Sequence, residues 1–345
     1  MEYIKEVNIK EAIIHVLDTN ASEPILNEYS LDLDEETYNF IYKHITRCIK
    51  SEELKYARFN AEENRVKEIV QDYYRGNDKN LIYVSKELAK QLFVIMKNNS
   101  NISSGDIIIA SIITDQGPMI ALLKLDYVKS FTHEVKFKDK KIGVGLIHHL
   151  AGLPESGRKI QKAAFIKPYK NNENVNLMVL DKKKKGKDDS YGTTYFIESY
   201  LNADIITNER DMTKRFVKSV ENWTRKNMVD DAAKAEGIRT KIKYKLKEND
   251  KLDIYDVSEE LFHGQPKIKE DFINYISQQG IDDVVQIDKI WVDKKLKKIK
   301  LNIDNEIDLY ISKNIYQDIS KFEIQKNDDG TINLLVKNIS NYIEK

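Results

Sequence analysis

The chain has 345 residues, enough for two domains with a sizeable buried core. Charged residues make up 32% and apolar residues 41%, with 13 glycines and 5 prolines, a balance that excludes a disordered or fibrous chain. One cysteine, Cys48, excludes an internal disulfide, a thiol redox pair and a cysteine-based zinc cluster, and points to a reducing compartment.

The formal net charge is zero, but the charges are segregated. Asp18 to Glu36 carries seven acids and no lysine or arginine, whereas Arg158 to Lys187 carries ten basic residues against Glu173 and Asp181. Arg239 to Lys247 adds five more basic residues and no acid. Clustered cations are the electrostatic footprint that a phosphate partner requires. The N-terminal residues lack a basic-then-apolar leader, and the most apolar region, Asp106 to Leu125, is interrupted by Thr114, Asp115 and Gln116. No membrane association is expected.

In chain order, Ala12 to Leu17 predicts a short strand. Asp34 is a helix N-cap candidate before Tyr38, Ile41, Ile45, Cys48 and Ile49, whose spacing follows one helical face and places Cys48 in a core. Helices are predicted near Glu62 to Arg75 and Ser85 to Lys97. The period then changes: DIIIASIIT and PMIALLKLDY flank Asp115, Gln116 and Gly117 and predict a hairpin of two buried strands. Further short strands are expected at Lys141 to Ile147, Lys162 to Lys167 and Val175 to Leu180.

Met212, Phe216, Val220 and Trp223 mark another helical face, and a domain boundary is expected near Tyr200, dividing the chain into 1–200 and 201–345. The stretch IRTKIKYKLK alternates like a strand, yet Ile238, Ile242 and Leu246 are also spaced as a helix, so periodicity leaves both readings open. A helix over Lys267 to Gln279 precedes the strand-like segments KIKLNI, EIDLYIS, KFEIQK and TINLLVKN, the last two joined at Asn327 to Gly330. The fold class is α+β: N-terminal helices on a mostly antiparallel sheet, then a helical segment and a small C-terminal antiparallel sheet.

The order of these elements resembles the bacterial nucleoid-associated protein family of the NdpA and YejK type. The resemblance runs through IIHVLD, the central hairpin with IALLKLDYV, and YFIESYLNA leading to a charged helix. It continues in IDKIWVDKKLKKIKLNIDNEIDLYISKN and FEIQKNDDGTINLLVKN. It implies a cytoplasmic protein associated with the bacterial chromosome, with no catalytic centre or cofactor to carry over. It also implies a helix over IRTKIKYKLK, and it marks Lys182 to Lys185 as a local elaboration outside the family pattern.

Three stretches carry candidate chemistry. LDKKKKGKDD, Leu180 to Asp189, reads first as a solvated tip and second as a phosphate contact, since each lysine that neutralises a phosphate releases a counterion. Asp181 and Lys183 also form an Asp-x-Lys pair, half of a metal-dependent nuclease site, but no neighbouring strand supplies the second acid. His148 and His149 are adjacent on a predicted strand and so point to opposite faces, which argues against a shared metal. GVGLIHHLAG lacks the ending of a nucleotide-binding loop. Trp291, within KIWVDKKLKKIK, is read as core ahead of a base-stacking platform.

The reading is a largely sequence-independent DNA-binding protein without catalysis, cofactor or metal. Its candidate phosphate contacts are Arg158, Lys159, Lys162, Lys182, Lys183, Lys184, Lys185 and Lys187, with Arg239, Lys241, Lys243, Lys245 and Lys247. A symmetric homodimer would double those contacts. The acidic segment 18–36 is expected to face away from DNA or to meet a basic surface on a second subunit or protein partner. The alternatives are a metal-dependent nuclease acting on foreign DNA through Asp181 and Lys183, and an adaptor that recruits its partner through the acidic segment.

Overall fold

The computed structural model describes residues 3–60, 64–76, 80–138, 141–155, 157–169, 175–182, 194–295, 298–303 and 306–341. It divides into two compact units, Glu2–Ile206 and Thr207–Lys345. Lys183, Lys184, Lys185 and Lys187 lie outside the described residues.

The first unit contains strands β1 (Val7–Leu17), β2 (Lys55–Phe59), β3 (Gly105–Thr114), β4 (Gly117–Asp126), β5 (Val128–Lys138), β6 (Lys141–Gly152), β7 (Lys162–Ile166), β8 (Leu177–Asp181) and β9 (Ala203–Ile206). Its helices are α1 (Glu35–Ile49), α2 (Arg65–Tyr74) and α3 (Leu81–Lys97), with a π-helical turn at Phe196–Leu201. Seven strands form one sheet in the order β1-β3-β4-β7-β8-β2-β9, every pairing antiparallel. The unit is α+β on a mostly antiparallel sheet, as the alternation of periods predicts.

The β3–β4 hairpin lies inside this sheet, where strands need apolar side chains on both faces. Ile107, Ile109, Ile120, Leu122, Ala164, Ile166, Leu177 and Val179 face one core with α2, α3 and the π-helical turn. Residues of opposite parity, including Ile108, Ala110, Ile112, Ala121, Leu123, Phe165 and Leu180, are equally buried, and α1 packs against β1 with Ile41, Ile45 and Cys48 inside. Each large aliphatic buried in this way contributes about 1.5–3 kcal/mol.

Local chemistry fixes the helix ends. The Asp34 carboxylate accepts from the Thr37 amide at 2.7 Å, and Asn80 accepts from Tyr83 at 3.0 Å, each satisfying an amide that the helix leaves unpaired. Gly117 closes the hairpin turn at φ +97°, a conformation that side chains with a Cβ resist. Among the described residues, β5 and β6 pair with each other and with no other strand, forming a separate two-stranded ribbon.

The second unit contains α4 (Glu209–Asn227), α5 (Ala232–Glu248), β10 (Lys251–Asp253), α6 (Ile254–Leu261), α7 (Pro266–Gln278), β11 (Val284–Gln286), α8 (Lys289–Lys295), β12 (Lys298–Ile303), β13 (Ile307–Ser312), α9 (Lys313–Gln317), β14 (Phe322–Lys326) and β15 (Ile332–Val336). IRTKIKYKLK is helical, within α5, because Ile238, Ile242 and Leu246 join Phe216, Val220 and Trp223 in one core. The Trp223, Phe262 and Phe272 rings meet at 5.1–5.4 Å between centroids, and the Trp223 indole donates to Asp271 at 2.8 Å. Strands β10–β11, β12–β13 and β14–β15 form antiparallel pairs. Trp291 is buried in α8, consistent with its reading as core.

Candidate nucleic-acid interface

The sheet brings the two sides of the first basic segment together. β7 and β8 are antiparallel neighbours, and the Lys182 amide donates to the Gln161 carbonyl at 2.9 Å. The connection carrying Arg158 and Lys159 therefore ends beside the residue that opens the lysine run. Both side chains are exposed. Arg47, at the end of α1, donates to the Gly157 carbonyl and ties this connection down from 110 residues away. Nothing local in the sequence marks Arg47 for that role.

Lys182 is largely covered and pairs with Glu53 at 3.3 Å, so its charge is partly compensated within the unit. Lys162 departs from its reading as a phosphate contact. Its position on β7 points it into the core side of the sheet, where its ammonium pairs with Asp181 and lies 5.2 Å from the Tyr195 ring centroid. Direct cross-strand partners place Lys124, Lys162 and Asp181 in one row. Two buried ammonium groups side by side would repel, and each has its own carboxylate: Lys124 takes Asp126 and the Ser103 carbonyl, while Lys162 takes Asp181.

This arrangement also places Asp181 as an internal counterion rather than an open ligand. Burial pushes its carboxyl above the ordinary range, with Lys162 pulling the other way. Among the described residues, no group of three or more histidine, cysteine, aspartate or glutamate side chains could hold a metal ion. His148 and His149 occupy adjacent positions on β6, opposite Phe131 and Ser130 respectively.

The second basic segment lies on α5, and most of its cations are engaged within the unit. Arg239 grips Glu221 through two nitrogens, at 2.9 and 3.1 Å. Burial opposes ionisation of Glu221, but hydrogen bonds from Arg239 and Arg225 outweigh it and hold the carboxyl below its usual range. Lys245 pairs with Glu260 at 2.5 Å, and exposed Lys241 donates to the Glu260 carbonyl at 2.9 Å. Lys243 is lowered in pKa by burial and lies 5.1 Å from the Tyr316 ring centroid. Lys247 is half-buried. Lys289, outside the predicted set, donates to the carbonyls of Leu246 and Lys247 and so caps the C-terminal end of α5.

The acidic segment is likewise used in part for local structure. Asp18 accepts from Asn20 and Ser104, Glu28 pairs with Lys86 at 3.1 Å, and Asp34, Glu35 and Glu36 sit at the positive end of the α1 dipole. Glu23 and Asp32 are exposed.

The fold is thus a two-unit α+β chain in which the connection carrying exposed Arg158 and Lys159 meets largely covered Lys182 at one end of an antiparallel sheet. A family model described as nucleoid-associated protein YejK matches residues 13–344. The chain belongs to that family, and its role is nucleoid-associated. No curated protein matches it. Among the described residues no helix is long and apolar enough to cross a membrane.

Proposed function

We propose that this chain binds duplex DNA through the phosphate backbone, largely independently of sequence and without cleaving it. The observation that carries the reading is the convergence of exposed Arg158 and Lys159 with the start of the Lys182–Lys187 run, across the Lys182–Gln161 backbone bond. Membership of a nucleoid-associated family supports it. Lys241 adds an exposed cation on α5, while Lys162 and Arg239 hold the fold together. Backbone binding of this kind is driven by counterion release, with a slope of about 0.9 in log affinity against log salt for each phosphate neutralised.

Replacing Arg158 and Lys159 together by alanine tests the reading. Anisotropy titrations with a labelled duplex should show weaker binding and a salt slope smaller by up to about 2, equally for unrelated sequences. An unchanged slope would overturn the assignment of this surface.

A further inference from the structure

The β5–β6 ribbon has one apolar face that the rest of the first unit's sheet does not use. Its register sets Phe137 opposite Ile142, Val135 opposite Val144, His133 opposite Leu146 and Phe131 opposite His148. Directly opposed residues share a face, so Phe131, Val135, Phe137, Ile142, Val144 and Leu146 form one continuous strip. All six are between 45% and 78% exposed. The other face carries Thr132, Lys141, Gly143, Gly145 and a Glu134–Lys136 ion pair at 2.7 Å, with one apolar residue, half-buried Ile147, opposite Thr132. The ribbon is amphipathic, with its charged residues Glu134 and Lys136 on the side away from the strip.

A lone two-stranded ribbon with its apolar face in water is at best marginally stable, and at about 35 Å long this one has more such surface than a turn could anchor. The strip presents about 800 Å² of accessible surface, which is what one partner contributes to a standard stable interface. It also exceeds the apolar patches that monomers usually leave exposed. We propose that a second copy of this chain covers it, the two apolar faces packing face to face about a twofold axis.

Three observations favour that occupant. The area suits a dimer in which each copy supplies one half. The Glu134 and Lys136 charges lie on the opposite face, so like charges are not brought together between copies. The strip can offer the same residues from each copy, as a twofold interface requires, with Val135 and Val144 directly opposed near its middle. Nucleic acid fits it poorly: apolar wedges enter base steps singly, and this face does not offer phosphates a run of cations.

Sedimentation velocity on the full chain at micromolar concentration tests the inference, with the double variant Phe137→Ser and Val144→Ser compared with Lys136→Ser. The wild type and Lys136→Ser should sediment as dimers. The double variant should sediment as a folded monomer by circular dichroism, its dissociation constant raised about a thousandfold or more. V144C, in a chain whose native Cys48 is buried, should form a disulfide-linked dimer under mild oxidation. A monomeric wild type, or a dimer that survives the double substitution, would overturn the proposal. So would a monomeric wild type that floats with anionic vesicles or loses duplex affinity on the double substitution, which would assign the face to lipid or DNA. Salt-dependent DNA binding by a monomer would leave the proposed function standing while this inference failed.

Discussion

Replacing Asp181 by leucine removes the carboxylate from a pair whose side chains are only 7% and 4% exposed. The Lys162 ammonium would then keep its charge inside the sheet with the Tyr195 ring nearby. Breaking a buried pair on one side costs about 3–5 kcal/mol, whereas replacing both members by apolar groups of similar volume is neutral or stabilising. The first unit should therefore lose about 3–5 kcal/mol in Asp181→Leu and recover most of it in Lys162→Met with Asp181→Leu. Lys162→Met alone leaves a carboxyl that burial already pushes up. Because that raised folded-state pKa favours the protonated form, its cost should shrink as pH falls and grow as pH rises.

Both tryptophans, Trp223 and Trp291, lie in the second unit, so the assay is urea unfolding followed by far-ultraviolet circular dichroism, with amide exchange on β7 and β8. Duplex affinity of the folded single variant should be unchanged. A cost below about 1 kcal/mol in Asp181→Leu, or no recovery in the double variant, would refute the internal-pair account.

Three further outcomes are expected. His15 is buried, its Nδ1 accepts from the Asn27 amide at 3.0 Å, and burial lowers its pKa from 6.5 to about 4. It therefore contributes stability that is complete above pH 6.5 and lost as pH falls towards 4, by at most about 3 kcal/mol. His15→Asn should flatten that slope in urea midpoints measured across this window. In Gly105→Ala the new Cβ would meet the Leu125 carbonyl oxygen at 2.3 Å, so β3 and β4 must shift apart at a cost of about 1–3 kcal/mol, read by chemical denaturation. Asn80→Ala removes the α3 cap and should cost about 1 kcal/mol in the same assay.

Much of the fold is legible because its strongest signals are local. The β3–β4 hairpin is written in two apolar runs around Asp115–Gly117, and Asp34 announces α1. Strands β2 and β9 are short and carry too few alternating residues to stand out. β5 reads as polar because KSFTHEVKFK places its apolar residues on one face of a ribbon that the main sheet does not include. IRTKIKYKLK needed more than its period, since Lys alternation mimics a strand while burial of Ile238, Ile242 and Leu246 selects the helix.

The candidate site was less legible for a physical reason: a basic residue's role depends on where its counterion lies. Lys162 and Asp181 are 19 residues apart, and Arg239 and Glu221 are 18 apart, yet cross-strand and interhelical packing bring each pair together. Run composition reveals neither partnership. Arg158 and Lys159 remain exposed because they lie in the connection from the β5–β6 ribbon, before the chain enters the sheet at β7.

The most direct test of DNA binding without cleavage is anisotropy of the wild-type chain with a labelled duplex across a salt series, with and without magnesium, followed by denaturing electrophoresis of the duplex. The account predicts a linear fall of log affinity with log salt and an intact duplex throughout. Absence of binding at low salt, or strand cleavage that requires magnesium, would contradict it.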